Sequence, residues 1–226
     1  MKLKVFYHIV DLPGWKSIVD EQLGKMKDSG LLDNCDLYMN LHYNESSFDQ
    51  IKAEYKDYTN IHWIFRNAAR EEYEYPTAIL MQETALSTRE EFYALYIHLK
   101  GITFLNTSNE TTTKHWRWLM DYWNVEKWRD CVDKLDEGYE AVGCLQLPQP
   151  LQHFSGNVHW AKASFIRRCS RLKMPSTVGF VKQVDQPYNY RHDVETWYGF
   201  NKAKTYSFYN DPLDHYWQEC PPDVYR

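Results

Sequence analysis

The chain has no stretch of even roughly 18 uninterrupted apolar residues, so none of it is expected to span a bilayer. It also has no C-x-x-C pair. Its five cysteines, Cys35, Cys131, Cys144, Cys169 and Cys220, are widely spaced and odd in number, which argues against a disulfide framework or a zinc cluster and for reduced thiols in a cytosolic compartment. A basic stripe is missing too: 26 Lys and Arg are mixed along the sequence with 31 Asp and Glu, for a net charge of -5, which excludes nucleic acid as an expected partner. Neither G-x-G-x-x-G nor G-x-x-x-x-G-K-[ST] occurs, so the common glycine-rich phosphate loops are ruled out. The opening MKLKVFYHIV lacks a small-residue cleavage site and reads as a buried first strand rather than a signal peptide, which leaves the sequons at Asn44, Asn106 and Asn109 with little meaning.

Aromatics, by contrast, are plentiful: 16% of residues, with 18 Tyr and 9 Trp. They suit a thick core, and their flat apolar faces also suit stacking on sugar rings or nucleobases. The first half alternates between two hydrophobic periods. LKVFYHIV (3–10) is continuously apolar, as a strand covered on both faces should be, and Trp15, Ile18, Val19, Leu23 and Met26 then share one helical face ahead of Gly30. CDLYMNLH (35–42), IHWIFR (61–66) and FYALYIHL (92–99) read as further strands, with helices over 48–58 and from Pro76 between them. Helical spacing resumes from about Thr111 through Trp123 and again through Trp128, Val132 and Leu135; 139–147 reads as a strand and the last forty or so residues as short elements and loops. Strand and helix in this order predict an α/β domain built on parallel βαβ units, with ligands bound beyond the carboxyl ends of the strands.

That rule gathers four stretches. HIVDLPGW carries Asp11 in a turn that either caps the next helix or meets a nucleotide. RNAAREEYEYPT offers Arg66 and the start of a helix at Pro76-Thr77 to an anion, although Glu71, Glu72 and Glu74 dilute the charge and a solvated loop is equally expected. YIHLKGIT puts His98 and Lys100 on one side of a strand end, suited to a diphosphate, with a solvent-seeking Lys as the plainer alternative. HFSGNVHWAKA (153–163) adds His153 for a diphosphate or metal, a tight Ser155-Gly156 turn with room for a sugar, Asn157 for a hydroxyl, and Trp160 either walling an acceptor or filling the core. Further on, YRHDVETWYG supplies Asp193 and Glu195, helix caps or, in an aromatic pocket, a general base.

In order and spacing, SGLLDNCDLYMNL, YEYPT, YIHLKG, GYEAVG, HFSGNVHWA and RHDVETW resemble glycosyltransferase domains of the GT-A type, such as those that build chlorella-virus capsid glycans, over about Lys2 to Gly199. The resemblance implies one Rossmann-like domain over 1–226 with a central, mixed, mostly parallel sheet flanked by helices. Residues up to about 105 would hold a nucleoside-diphosphate sugar, UDP-sugar favoured, and residues from about 106 a glycan acceptor. Donor contacts are then expected from Asp11, Arg66, Thr77, His98, Lys100 and His153, and acceptor contacts from Asn157, Trp160 and Trp197. His98-Leu99-Lys100 stands where such domains commonly carry Asp-x-Asp. A divalent cation, Mn²⁺ or Mg²⁺, is therefore expected to be weakly ligated, through His98 or His153, with Lys100 taking over part of its charge. Glu195, ahead of Asp193, is the expected base of an inverting transfer because it directly precedes Thr196, Trp197 and Tyr198. The expected location is the cytoplasm, that of the host for a viral protein, and the end at CPPDVYR suggests a domain of a longer polypeptide. The alternative is a non-catalytic carbohydrate-binding module in which Trp160, Trp197 and the tyrosines stack on glycans. A hydrolase is disfavoured, because Asp193 and Glu195 are too close in sequence to flank a scissile bond.

Overall fold

A computed structural model describes residues 1–42, 48–66, 72–149, 151–174, 193–197 and 202–226. Four strands, β1 (Lys2–Val10), β2 (Cys35–His42), β3 (Ile61–Arg66) and β4 (Phe92–His98), form the parallel half of a seven-stranded sheet in the order β3-β2-β1-β4. The crossovers are α1 (Trp15–Asp28), α2 (Phe48–Glu54) and α3 (Tyr75–Ser87). Beyond β4 the sheet continues through β8 (His159–Lys162), β5 (Ala141–Gly143) and β9 (Thr205–Ser207). β8 is antiparallel to both β4 and β5, whereas β9 is parallel to β5, so β8 alone runs against the rest of this sheet. β6 (Gln146–Leu147) and β7 (His153–Phe154) form a separate antiparallel pair. α4 (Glu110–Asp121), a π-helical turn over Tyr122–Glu126, α5 (Trp128–Asp136), α6 (Ala163–Arg168), the short α7 (Asp193–Thr196) and 3-10 turns at Leu32–Asn34, Ile102–Phe104 and Pro222–Val224 complete the described elements.

Alternation along β1 sorts the layers. Val5, Tyr7 and Ile9 join α1, α4 and α5 in one apolar cluster, while Phe6 joins Tyr96, α3, α6 and α7 in the other. The helices obey their own period: in α1 Trp15, Ile18, Val19, Leu23 and Met26 are all buried. Tyr7, Gln22, Lys25, Glu21, Arg117, Trp118 and Asp121 form a polar lattice between β1, α1 and α4. Burial alone would raise the Glu21 carboxyl, but Lys25 and Arg117 beside it hold it below its ordinary value.

The α/β class, the mostly parallel sheet and the flanking helices agree with expectation. Three boundaries differ. The expected helix over 48–58 ends at Glu54, and the strand expected to reach residue 99 ends at His98. The single strand expected over 139–147 is broken into β5 and β6, because Leu145 takes a left-handed φ of 56° between them and re-aims the chain toward β7. Among the described residues no helix is long and apolar enough to cross a membrane.

Candidate functional site

The carboxyl ends of β1, β2 and β4 bring His8, Asn40, His42 and His98 to one edge of the sheet, where the first turn of α3 and the turn after β7 meet them. His8 and His42 stack with ring centroids 4.9 Å apart. The Thr77 hydroxyl lies 2.9 Å from His8 Nδ1 and accepts a hydrogen bond from Asn40 Nδ2 at 3.0 Å. Burial first, then the neighbouring His42 and His98, hold His8 well below the ordinary imidazole range, so it is neutral near pH 7.

Glu74 is the carboxylate at the middle of this edge. Its Oε2 accepts from Asn157 Nδ2 at 2.7 Å, and its Oε1 lies 3.5 Å from His98 Nδ1. His98 Nε2 in turn donates to the Gly156 carbonyl at 2.7 Å. Tyr73, directly ahead of Glu74, has a φ of 46° and Asn157 a φ of 56°, so backbone strain sits at both ends of this contact. Tyr96 is fully buried next to them; burial, followed by the negative charges of Glu74 and Glu195, holds its phenol far above its usual value. Glu195 is half-buried on α7, which packs against β7, so the structure brings the RHDVETW and HFSGNVHWA stretches together.

Lys100 lies just beyond β4. Its side chain is almost wholly buried, with Nζ 3.5 Å from the centroid of the Trp116 ring and 3.4 Å from the Tyr216 hydroxyl. No carboxylate of the described residues pairs with it. Arg117 Nη1 fixes the local backbone by donating to the Lys100 carbonyl at 2.9 Å. Gly101 follows at φ 87°, and a Cβ there would lie 3.0 Å from Thr113 Oγ1. Trp116 also underlies the Gly156 turn: a Cβ on Gly156, at φ 83°, would lie 3.2 Å from Trp116 Cε2 and 2.6 Å from Met120 Sδ. A separate cleft of about 260 Å³ opens between α1 and α4. Its Arg117 and Lys114 are offset by Glu21 and Glu110, so it suits a diphosphate less well than the Lys100 edge does.

Several residues expected to contact ligands do other work. Trp160 is fully buried and its Nε1 donates to Asn124 O at 2.9 Å, so it is core and not an acceptor wall. Trp197 is 6% exposed within the α3–α6–α7 cluster, and a ring so enclosed offers no face to a sugar. Thr77 has no exposed surface and supports His8 instead of reaching a donor. Asn157 commits its amide to Glu74, leaving its buried Oδ1 without a partner. The site does contain His98, but both its ring nitrogens face protein atoms, which does not fit a metal ligand. His153 spends Nδ1 on the Leu151 carbonyl at 2.7 Å and keeps only Nε2. No three His, Cys, Asp or Glu side chains among the described residues converge as a metal-binding group. Asp11 sits at the site's rim, where its backbone N–H donates to His42 O at 3.1 Å. The side chains of Arg66 and Asp193 lie outside the described part.

Sequence reasoning missed Glu74, which it counted only as dilution of the arginine charge, and the pair Trp116 and Tyr216. The signal for Glu74 was its place directly before Tyr75-Pro76, at the first turn of a helix facing the strand ends. Tyr216 had none, because it reaches Lys100 from a segment without periodicity. No protein-family model and no curated protein sequence matches the chain.

Proposed function

We propose that this chain transfers a sugar from a nucleoside-diphosphate sugar, with UDP-sugar favoured, to a hydroxyl of a glycan acceptor, inverting the anomeric configuration. The observation that carries this reading is Lys100, an ammonium almost wholly buried just beyond a strand's carboxyl end, with no carboxylate of the described residues paired to it. A cation so placed is completed by an anionic ligand, and a diphosphate leaving group is the anion whose charge grows during glycosyl transfer. The motif resemblance to GT-A domains and the mostly parallel sheet with its ligand-facing strand ends support the same reading.

In this mechanism Glu195 removes the proton from the acceptor hydroxyl, whose oxygen attacks the anomeric carbon as the bond to the diphosphate oxygen breaks. Lys100 receives the negative charge that develops on the diphosphate. Glu74, held by Asn157 and aligned with His98, is a positioning residue: it ties the first turn of α3 to the Gly156 turn and so fixes the edge on which donor and acceptor meet. The described His98 and His153 do not fit the expected divalent cation, because both ring nitrogens of His98 and Nδ1 of His153 are engaged with protein atoms.

Calorimetry with UDP-glucose, UDP-galactose and GDP-mannose, with and without Mn²⁺, tests the reading. Wild-type protein is expected to bind at least one of them, and Lys100→Met to weaken that binding roughly tenfold or more, the scale of one lost charge-assisted contact. Glycan binding with no nucleotide affinity would instead favour the carbohydrate-binding module.

A further inference from the structure

Of the nine tryptophans, Trp217 alone is exposed, at 72% of its surface; the other eight are buried or half-buried. The turn that carries it is held from several sides. Within the turn, Trp217 and Gln218 donate their N–H groups to Asp214 O at 2.9 and 2.8 Å, Tyr216 N–H donates to Asp214 Oδ1 at 3.1 Å, and Asp214 N–H donates to Gln218 Oε1 at 2.8 Å. From α4 and its N-terminal flank, Thr112 Oγ1 and Asn109 Nδ2 donate to Tyr216 O at 2.9 and 2.8 Å, while His215 stacks on Trp116 at 5.5 Å. Trp217 is therefore presented on a fixed turn, so a ligand stacking on it meets little ordering cost in the backbone.

Two further features describe the surroundings of this turn. Tyr216, the preceding residue, accepts from Lys100 Nζ, so the turn borders the position proposed for the donor diphosphate. Within three positions of Trp217 along the chain the exposed residues are Asp214, Gln218 and Glu219, all with hydrogen-bonding side chains. A protein-docking surface joins several apolar side chains over some hundreds of Å². One flat ring among carboxylates and an amide instead matches a pyranose, whose C–H face stacks while its hydroxyls seek hydrogen-bond partners.

We propose that Trp217 is the stacking platform for the acceptor sugar, with the rim hydroxyls meeting the polar atoms that Asp214 and Gln218 keep beyond their bonds in the turn and those of Glu219, whose Oε2 lies 3.5 Å from His115 Nδ1. This inference rests on the transferase reading and moves the acceptor site from Trp160 and Trp197, which are enclosed, to the C-terminal turn.

Protein labelled with 5-fluorotryptophan, its Trp217 signal assigned by loss in Trp217→Phe, is titrated with methyl glycopyranosides of common hexoses and pentoses, and transfer from UDP-sugars to the same glycosides is measured in parallel. The Trp217 signal is expected to move with at least one glycoside. Trp217→Ala is expected to raise that acceptor's KM about tenfold, roughly the effect of losing one stacked ring, while donor KM and Tm stay unchanged and Trp217→Tyr recovers most of the loss. Transfer with an unchanged acceptor KM in Trp217→Ala overturns the platform and leaves the transferase standing. A Trp217 signal that moves without any sugar transfer supports the platform and overturns the transferase. A signal that no glycoside moves overturns the platform.

Discussion

At Lys100 the energetic question is why an ammonium is kept nine-tenths buried with an aromatic face beneath it and no carboxylate of the described residues paired to it. Desolvating an unpaired charge is costly, and a cation–π contact recovers only about 2 kcal/mol even when dry, so the arrangement is most favourable with an anion present. Lys100→Met, which keeps the apolar stem over Trp116, is thus expected to leave Tm unchanged or raise it in the free protein while weakening nucleotide-sugar binding; a large fall in Tm would mean that the charge serves the fold. Trp160 makes the opposite case. Fully buried and bonded to Asn124 O, its replacement by Ala is expected to cost about 3–5 kcal/mol of stability, read from denaturant unfolding. The same two residues show the limits of legibility: the period of a sequence tells which residues leave a strand on one side, but not which aromatic will be covered. The sequence divides Trp160 evenly between core and ligand, and the flanking β4 and β5 make it core.

Among the elements, β1 and β4 are legible because strands covered on both faces must be apolar throughout, β2 because Leu37, Met39 and Leu41 alternate with polar residues, α1 because burial on one side imposes a helical period, and α3 because Pro76 suits a first turn. The small strands were not. β5, β6 and β7 have three, two and two residues, too few for a period, and the left-handed Leu145 that divides β5 from β6 carries no glycine to announce it. The Ser155-Gly156 turn was predicted correctly as tight, but its reason is different from room for a sugar: Gly156 fits against Met120 and Trp116 while its carbonyl holds His98. Gly156→Ala is expected to lose about 1–2 kcal/mol from its left-handed φ alone. Because the strain falls on the turn that also carries Asn157, activity should drop more than Tm suggests. An Ala variant with full turnover would detach this turn from the site.

For the molecule as a whole, buried neutral histidines set the response to acid. Burial pushes His159 down to about 4 and, with His42 and His98, pushes His8 well down too. Their unfolded values lie near 6.5, so as pH falls the unfolded chain takes up protons first. The stability these two contribute is complete above about pH 6.5 and is lost as pH falls below it; the share from His159, about 3 kcal/mol, is lost progressively toward pH 4. Denaturant midpoints measured between pH 7.5 and 4.5 should fall accordingly, and His159→Phe should flatten the decline. The central claim is a division of labour across the sheet: a parallel half whose strand ends hold His8, His98 and Lys100, and a second half whose α7 carries Glu195 against β7 and near Tyr96. It is tested most directly by turnover of UDP-sugars in the presence of mixed glycosides by wild-type protein and Glu195→Gln. The account predicts transfer by the wild type with inversion at the anomeric carbon, and a loss of about 100-fold or more in Glu195→Gln with donor affinity retained. Equal turnover by the two proteins, or none by either, would contradict it.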